Sequence, residues 1–286
     1  MWYVTISKED NQPNQCEWKD LKIDDKPIKF FQAPILDKFK GYMCKSEGSE
    51  LWKLTFFNHK SYSEKLFVRF SDTQPRSDPN YLFKAFWDKV SDGEPNNDQL
   101  ETASQWLRGS KSICIENYVA KHGSFLFVDG RGIAVFSTKC FGNFSENCPV
   151  FFQRYILLLC LCAAYKLRIE KLINELANAP DDCTTLNQMI KESYEFSARY
   201  YFRHPVRMEN TELPFVWDEI RDRMRLQEYL DEFLSQASAL RHVVLEAEQE
   251  HQRLRQEKLS NLMTVALILL ALLTFLEALP LFGSHP

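Results

Sequence analysis

The most regular feature of the chain is a hydrophobic pattern in its last quarter. Alternating steps of four and three residues from Leu226 select mostly apolar positions, with charged residues lying between them. These positions are Leu226, Leu230, Phe233, Ala237, Leu240, Val244, Ala247, His251 and Leu254. The spacing is typical of a coiled-coil seam, within one helix that we expect to run from about residue 212 to residue 282. The same stripe also fits a single amphipathic helix that lies on its own domain.

From residue 262 onward the pattern loses its polar face. Residues 262–276 contain no charge, and a bilayer core needs roughly 20 residues of helix. A buried helix of a soluble protein is usually apolar on one stripe only, so we expect one transmembrane helix at residues 261–283. Basic residues precede this segment and none follows it: Arg253, Arg255 and Lys258. This asymmetry predicts an anchor in the inner (cytoplasmic) membrane, with the large N-terminal part in the cytoplasm.

The front of the chain favours a mixed α/β fold. Aromatic and β-branched residues predict strands at 2–7, 51–57, 65–70, 112–118, 124–128 and 132–137. Between the last two strands, the residues from Asp129 to Gly132 indicate a hairpin turn, although such a backbone can also approach a phosphate. Two short helices are expected, at 81–87 after Asp78 and Pro79, and at 97–107 before Gly109.

A helical block follows the α/β part. Residues 155–165 are apolar on every face but too short to span a bilayer, which predicts the central helix of a buried bundle. A second helix is expected at 184–202, ending before Pro205 because the residue before a proline disfavours the α conformation. The predicted fold class is therefore α+β. Its parts are a cytoplasmic α/β domain at 1–146, a helical bundle at 147–210, a stalk helix at 211–260 and the transmembrane helix at 261–283.

Composition narrows the compartment and the partners. The chain has 286 residues and a formal net charge of −4, so nucleic acid is not an expected direct partner. Its first residues lack the basic and apolar regions of a secretory signal. The eight cysteines show no CxxC spacing, and we expect them to be reduced and mostly buried.

The order of these features resembles the CorA-like family of divalent-cation channels. The resemblance starts at about Gly123 and rests on segments 125–132, 155–168 and 199–202, followed by the stalk and the apolar helix. It implies a funnel-shaped, pentamer-like homo-oligomer with a cytoplasmic sensory domain, and a divalent cation as a candidate cofactor. Some relatives are membrane effectors beside prokaryotic, antiviral defence systems. The family's Gly-Met-Asn motif and second membrane helix are missing here, so magnesium transport does not carry over.

The heptad spacing also predicts which residues would line the axis of such an assembly. Continued past Leu254, it gives Lys258, Asn261, Val265, Ile268, Leu272 and Phe275. An apolar bore with a polar mouth is typical of a pore gated by dewetting. Lys258 and Asn261 can instead anchor the helix at the membrane interface. Glu277 is either part of an acidic ring that favours cations or an interfacial residue that reaches water.

Other candidate sites are less specific. Arg199, Arg203 and Arg207 lie among aromatic residues, where they can bind a small anionic or nucleotide ligand or hold a corner between helices. The acidic residues Asp181, Asp182, Asp218 and Asp222 can hold a cation or simply solvate helix ends. We find no paired metal-binding histidines and no nucleophile motif, so an enzyme is disfavoured.

Two functions follow from the sequence. The first is an oligomeric channel or pore-forming effector, gated by a signal on its cytoplasmic domain. The second is a tail-anchored membrane adaptor that oligomerises through its coiled coil without conducting ions.

Overall fold

A broad β-sheet dominates the N-terminal half of the protein. The computed structural model describes residues 1–8, 17–46, 49–75, 80–91, 93–121, 123–138, 148–180, 182–209 and 212–282. Its strands are β1 (Trp2–Ser7), β2 (Lys19–Asp20), β3 (Lys22–Ile23), β4 (Lys26–Pro27), β5 (Lys40–Ser46), β6 (Ser49–Phe56), β7 (Glu64–Ser71), β8 (Tyr81–Lys89), β9 (Val119–Lys121), β10 (Ser124–Asp129) and β11 (Gly132–Ser137).

The sheet is mixed. Within the described residues its order is β2-β5-β6-β7-β1-β8-β11-β10-β9, and β3 pairs only with β4. Neighbouring strands are antiparallel except β8 and β11, which are parallel. Tyr3, Val4, Thr5 and Ile6 of the central strand β1 are all at most 5% exposed. Successive residues of a strand point to opposite faces, so both faces of the sheet are covered here.

Six helices accompany the sheet in the part of the chain that is described. They are α1 (Ala33–Leu36), α2 (Asn97–Arg108), α3 (Val150–Ala177), α4 (Cys183–Arg199), α5 (Leu213–Arg223) and α6 (Leu226–Phe282). The chain forms two compact units, one of residues 1–174 with 193–234 and the other of residues 175–192 with 235–286.

Helix α2 was predicted at residues 97–107 before Gly109, and the structure confirms it. The Asn96 side chain accepts a hydrogen bond from the Gln99 N–H (2.9 Å), and Gly109 takes the left-handed φ of 68°. Its buried face packs with Tyr3, Phe86 and Phe136 of the sheet, and the Trp106 indole N–H donates to the Ala85 carbonyl (3.0 Å). The two caps therefore fix the length of this helix. Its buried face, which includes Trp106, packs against the sheet.

The predicted hairpin between β10 and β11 is also confirmed. Asp129 pairs with Gly132, and the Asp129 carboxylate accepts the N–H groups of Arg131 (2.8 Å) and Gly132 (3.1 Å). These two donors are therefore already used within the turn and are not available to a phosphate. Gly132 is required because a Cβ atom there would lie 1.7 Å from the Lys84 carbonyl oxygen.

Helix α3 is the buried central helix that the sequence predicts. Every residue from Tyr155 to Tyr165 is at most 2% exposed. The Tyr165 ring stacks on Phe57 (5.1 Å between centroids) and also contacts Tyr201 (5.0 Å). The run is apolar all round because protein surrounds it all round.

Two local predictions in the front half are wrong. Residues 81–87 do not form a helix but belong to strand β8, which lies between β1 and β11. The prediction failed because a strand buried on both faces is a continuous apolar run, which periodicity cannot distinguish from a buried helix. The predicted cap at Asp78 and Pro79 lies outside the described residues. Residues 112–118 contain a single 3-10 turn, Ile115–Asn117, because the Asn117 side chain accepts the N–H of Cys114 (3.0 Å).

The long C-terminal helix does not run unbroken from residue 212. Helix α5 ends at Arg223, Met224 is its C-cap, and Arg225 has a φ of 56° before α6 begins. Met224 is buried and its N–H donates to the Ile220 carbonyl (2.9 Å). Burial of Met224 and the left-handed residue after it separate the two helices, and nothing in the hydrophobic pattern marks this break.

The predicted transmembrane helix at residues 261–283 is corrected by the structure. Among the residues that the structure describes, no helix is both long enough and apolar enough to cross a membrane. This finding overturns the predicted membrane anchor and inner-membrane location. It also overturns the predicted ion channel, which depended on a transmembrane helix.

Among the described cysteines, Cys44 differs from expectation. Cys148, Cys160 and Cys162 are buried free thiols and Cys114 is an exposed one. Cys44 forms a disulfide bond, so the prediction of reduced cysteines throughout is wrong. Burial raises the pKa of Cys162 to about 12 and that of Cys160 well above its usual range.

Candidate functional site

The most unusual surface lies on the far part of α6, which we call the distal apolar segment (residues 259–272). Its large hydrophobic side chains are each more than half exposed. They are Leu259, Leu262, Met263, Val265, Leu267, Ile268, Leu269, Leu270 and Leu272. At roughly 100 Å² each, these nine side chains expose about 900 Å² together, above the roughly 300–600 Å² of the largest apolar patch on a typical monomer. Such a surface marks an interaction site.

Burial along α6 changes abruptly. The first half of the heptad stripe is covered, with Leu226, Phe233 and Val244 at most 2% exposed. The Asn187 side chain donates to the Glu248 carboxylate (2.7 Å), and every residue from 251 to 272 is exposed. The interpretation as an amphipathic helix lying on its own chain therefore holds for the first part of α6 only.

The residues predicted to line an axis all lie on this helix. Val265, Ile268 and Leu272 are 53–55% exposed, and Lys258 and Asn261 are exposed as well. Residues off the seam, such as Leu267 and Leu270, are exposed by 69% and 62%. The single chain therefore leaves all faces of the segment open. Two further predicted residues belong to the helix, but their side chains lie outside the described part: Phe275 and Glu277.

The predicted arginine cluster serves the corner that follows α4. Arg199 pairs with Glu195 (2.9 Å), and its carbonyl accepts the Lys38 ammonium (2.6 Å), which also lies over the Tyr200 ring (3.9 Å). Desolvation by burial, and then the Arg199 charge, lower the pKa of Lys38. The Arg203 carbonyl accepts the Trp217 indole N–H (2.8 Å). These contacts are structural.

Arg207 is the member of the cluster that faces a pocket. Its Nε donates to the Phe31 carbonyl (3.1 Å). It lines a cavity of about 400 Å³ together with Arg154, Lys26 and Lys29, whereas Arg199 and Arg203 do not line it. The three arginines thus do not form one ligand site, although Arg207 contributes to a separate basic pocket.

The acidic candidates are engaged in helix ends and ion pairs. Asp218 and Asp222 both pair with Arg221 (2.7 and 2.8 Å). The Asp182 carboxylate accepts the Thr185 N–H (2.9 Å) at the start of α4, while Asp181 lies outside the described residues. In the described part of the chain, no group of three or more His, Cys, Asp or Glu side chains could hold a metal ion.

Sequence analysis missed a lysine-lined cleft in the first unit. Its lysines come from distant parts of the chain: Lys8, Lys40, Lys60, Lys65 and Lys171. No local motif joins them, because only the pairing of the strands brings them together.

Comparison of the chain with protein-family models, with curated proteins and with solved structures finds no match.

Proposed function

We propose that the protein is an adaptor that self-associates through the outer part of α6 and presents its sheet-containing unit in more than one copy. The observation that carries the proposal is the distal apolar segment, whose nine large hydrophobic side chains are more than half exposed. Removing such a surface from water is favourable by roughly 25 cal/mol per Å². A second copy of the chain offers the same surface, which makes it a self-complementary partner.

The heptad phase supports a parallel, in-register contact. From residue 245 to residue 272 the helix is about 42 Å long at 1.5 Å per residue. With Leu254 at a d position, Val265 and Leu272 occupy a positions and Ile268 occupies a d position. Branched aliphatic side chains at these positions fill the holes of a facing helix. Asn261, at a d position among them, favours one register because its amide needs a polar partner.

Charges beside the seam support the same orientation. Glu250 falls at a g position and Arg255 at the following e position. In a parallel pair of helices these positions face each other across the interface, so opposite charges meet. Both side chains are exposed within a single chain, which leaves them available to a partner helix.

Conduction of ions has no place in this proposal, because the channel depended on the transmembrane helix that the structure overturns. Self-association does not depend on a helix that crosses a membrane. The resemblance and the pentamer-like order that it implies stay predictions, and the number of copies is a quantity to be measured.

Sedimentation velocity of the full chain over a concentration series tests self-association. Ile268→Asp places a carboxylate on the seam, and Leu270→Asp places the same charge on the opposite face of the helix. We expect Ile268→Asp to weaken self-association by about thirtyfold or more, since burying an unpaired charge costs about 2 kcal/mol or more. Leu270→Asp should change it by less than about threefold.

Three results would overturn the proposal. One is a wild-type chain that stays monomeric at all concentrations. Another is an equal loss of self-association in both variants, which would show that the contact does not follow the heptad positions. The third is a monomer that floats with vesicles of neutral lipid, since the segment would then be covered by lipid and not by a second copy.

A further inference from the structure

The lysine-lined cleft lies where four neighbouring strands end. Strands β5, β6, β7 and β1 are adjacent in the sheet, and the cleft occupies about 830 Å³ at their shared edge. Besides its five lysines, it is lined by Thr55, Asn58, His59, Ser63 and Glu64. Its residues are distinct from those that the proposed self-association uses.

Strand register puts two of the lysines in one row. Lys40 of β5 pairs with Thr55 of β6, which pairs in turn with Lys65 of β7. Directly paired residues of antiparallel strands project from the same face. Strands lie about 4.8 Å apart, so the two lysine backbones are about 10 Å from each other with a hydroxyl between them. This spacing suits an extended ligand more than a single small ion.

The charge of the cleft is not balanced from within. Among the described residues, Glu64 is the one carboxylate that lines the cleft; it is only 4% exposed and receives the Lys171 ammonium on both oxygens (2.7 and 2.8 Å). That pair is neutral. In the described part of the chain, no carboxylate forms an ion pair with any of the other four lysines: Lys8, Lys40, Lys60 and Lys65. Four like charges in one cleft repel each other, and a bound anion would relieve this repulsion.

The loop that closes the cleft is ordered by its own contacts. Phe57 adopts a φ of 57°, and its ring is held against Tyr165 (5.1 Å). The exposed His59 ring stacks on the buried Tyr62 (5.1 Å), and its Nδ1 accepts the Ser61 N–H (3.3 Å). In the neutral ring this leaves Nε2 as the N–H donor. His59 is one of the residues that line the cleft.

We infer that this cleft binds a small ligand that carries two or more phosphate groups in series. Lysine ammonium groups act on phosphate oxygens as point charges without a fixed geometry, and several of them along a row match a chain of phosphates. The described part of the lining includes no Phe, Tyr or Trp, whereas sites for single-stranded nucleic acid combine basic residues with aromatic stacking platforms. The formal net charge of −4 also disfavours an extended nucleic-acid surface.

Isothermal titration of the full chain with inorganic tripolyphosphate tests the inference, with inorganic phosphate as the comparison ligand. We expect tripolyphosphate to bind at least tenfold more tightly than phosphate, with an affinity that falls as salt rises. The double substitution Lys40→Gln and Lys65→Gln should weaken binding at least tenfold. Both side chains are exposed, so the variant should keep its fold, which thermal unfolding checks.

The matched control removes the same charge from the other basic pocket. Lys26→Gln with Lys29→Gln should leave tripolyphosphate binding within about twofold of wild type, because neither lysine lines the cleft. Absence of binding at low salt would overturn the inference, and so would an equal loss in the two double variants. If a single-stranded oligonucleotide bound more tightly than tripolyphosphate, the inference of a small ligand would be wrong and the cleft would be a nucleic-acid site.

Discussion

Two apolar runs of equal length have opposite surroundings in this protein. Residues 155–165 in α3 and residues 262–272 in α6 are both helical and rich in leucine. Each residue of the α3 run is at most 2% exposed, whereas the large hydrophobic residues of the α6 run are at least 53% exposed. Local preference makes both runs helical, but it does not decide what covers them.

The difference lies in the chemistry of the two ends and in what contacts the run. The α3 run has partners such as Phe57, Tyr201 and Trp217 within its own unit. Just after the run, Arg168 lies over the Tyr62 ring (5.2 Å), so even its charged boundary is packed. The α6 run belongs to a stretch of the helix, residues 251–272, in which every residue is exposed. The first run completes a core, while the second is open to solvent within a single chain.

Thiol reactivity should give the largest contrast between the runs. Cys162 lies in the α3 run, and Leu270→Cys introduces a thiol in the α6 run. At pH 8 we expect Cys162 to react with a maleimide on the order of 10³-fold more slowly than the introduced cysteine, because its pKa of about 12 leaves little thiolate. The rate at Cys162 should rise about tenfold per pH unit, while that of the introduced cysteine levels off above about pH 9. Peptide mapping by mass spectrometry assigns the rates, and similar rates at the two sites would mean that α3 opens readily.

Truncation of one leucine in each run should differ next most strongly. Leu159→Ala should lower the free energy of unfolding by about 2–5 kcal/mol, because it leaves a cavity in a fully packed core. Leu270→Ala, off the proposed seam, should change it by no more than about 0.5 kcal/mol. Urea denaturation at one low protein concentration measures both. A loss of several kcal/mol in Leu270→Ala would show that the α6 run is packed within its own chain.

A charge exchange beside the seam should give the smallest effect. Glu250→Arg should weaken self-association by about two- to fivefold, because like charges would then meet across a parallel pair. Adding Arg255→Glu should restore most of the affinity by reversing the pair. Sedimentation equilibrium at low and high salt measures the change, and the effect should shrink as salt screens the charges. If the double variant were weaker than Glu250→Arg alone, the parallel register would be wrong.

The sequence predicted elements well where local chemistry was explicit. Gly109 marked the end of α2, and Asp129 to Gly132 marked the hairpin. Strand β8 was missed because a strand buried on both faces has the same apolar pattern as a buried helix. The break at Arg225 was missed because it depends on how Met224 is buried.

The candidate sites divide in a similar way. The apolar residues of α6 are contiguous, so the sequence singled out that segment, although its assignment to a membrane is overturned for the described chain. The cleft could not be found, since Lys40 and Lys65 become neighbours only through the pairing of β5, β6 and β7. Long-range pairing is not encoded in any local window.

By itself, the sequence determined the helix that ends at Gly109, the hairpin turn and where apolar residues accumulate, because propensity, capping and periodicity act over a few residues. Only the tertiary structure decided which of two similar apolar runs becomes a core, which lysines share a cleft, and that the last long helix starts anew at Leu226. These outcomes depend on contacts between residues far apart in the chain, where the surroundings of a side chain, and not its identity, set its free energy.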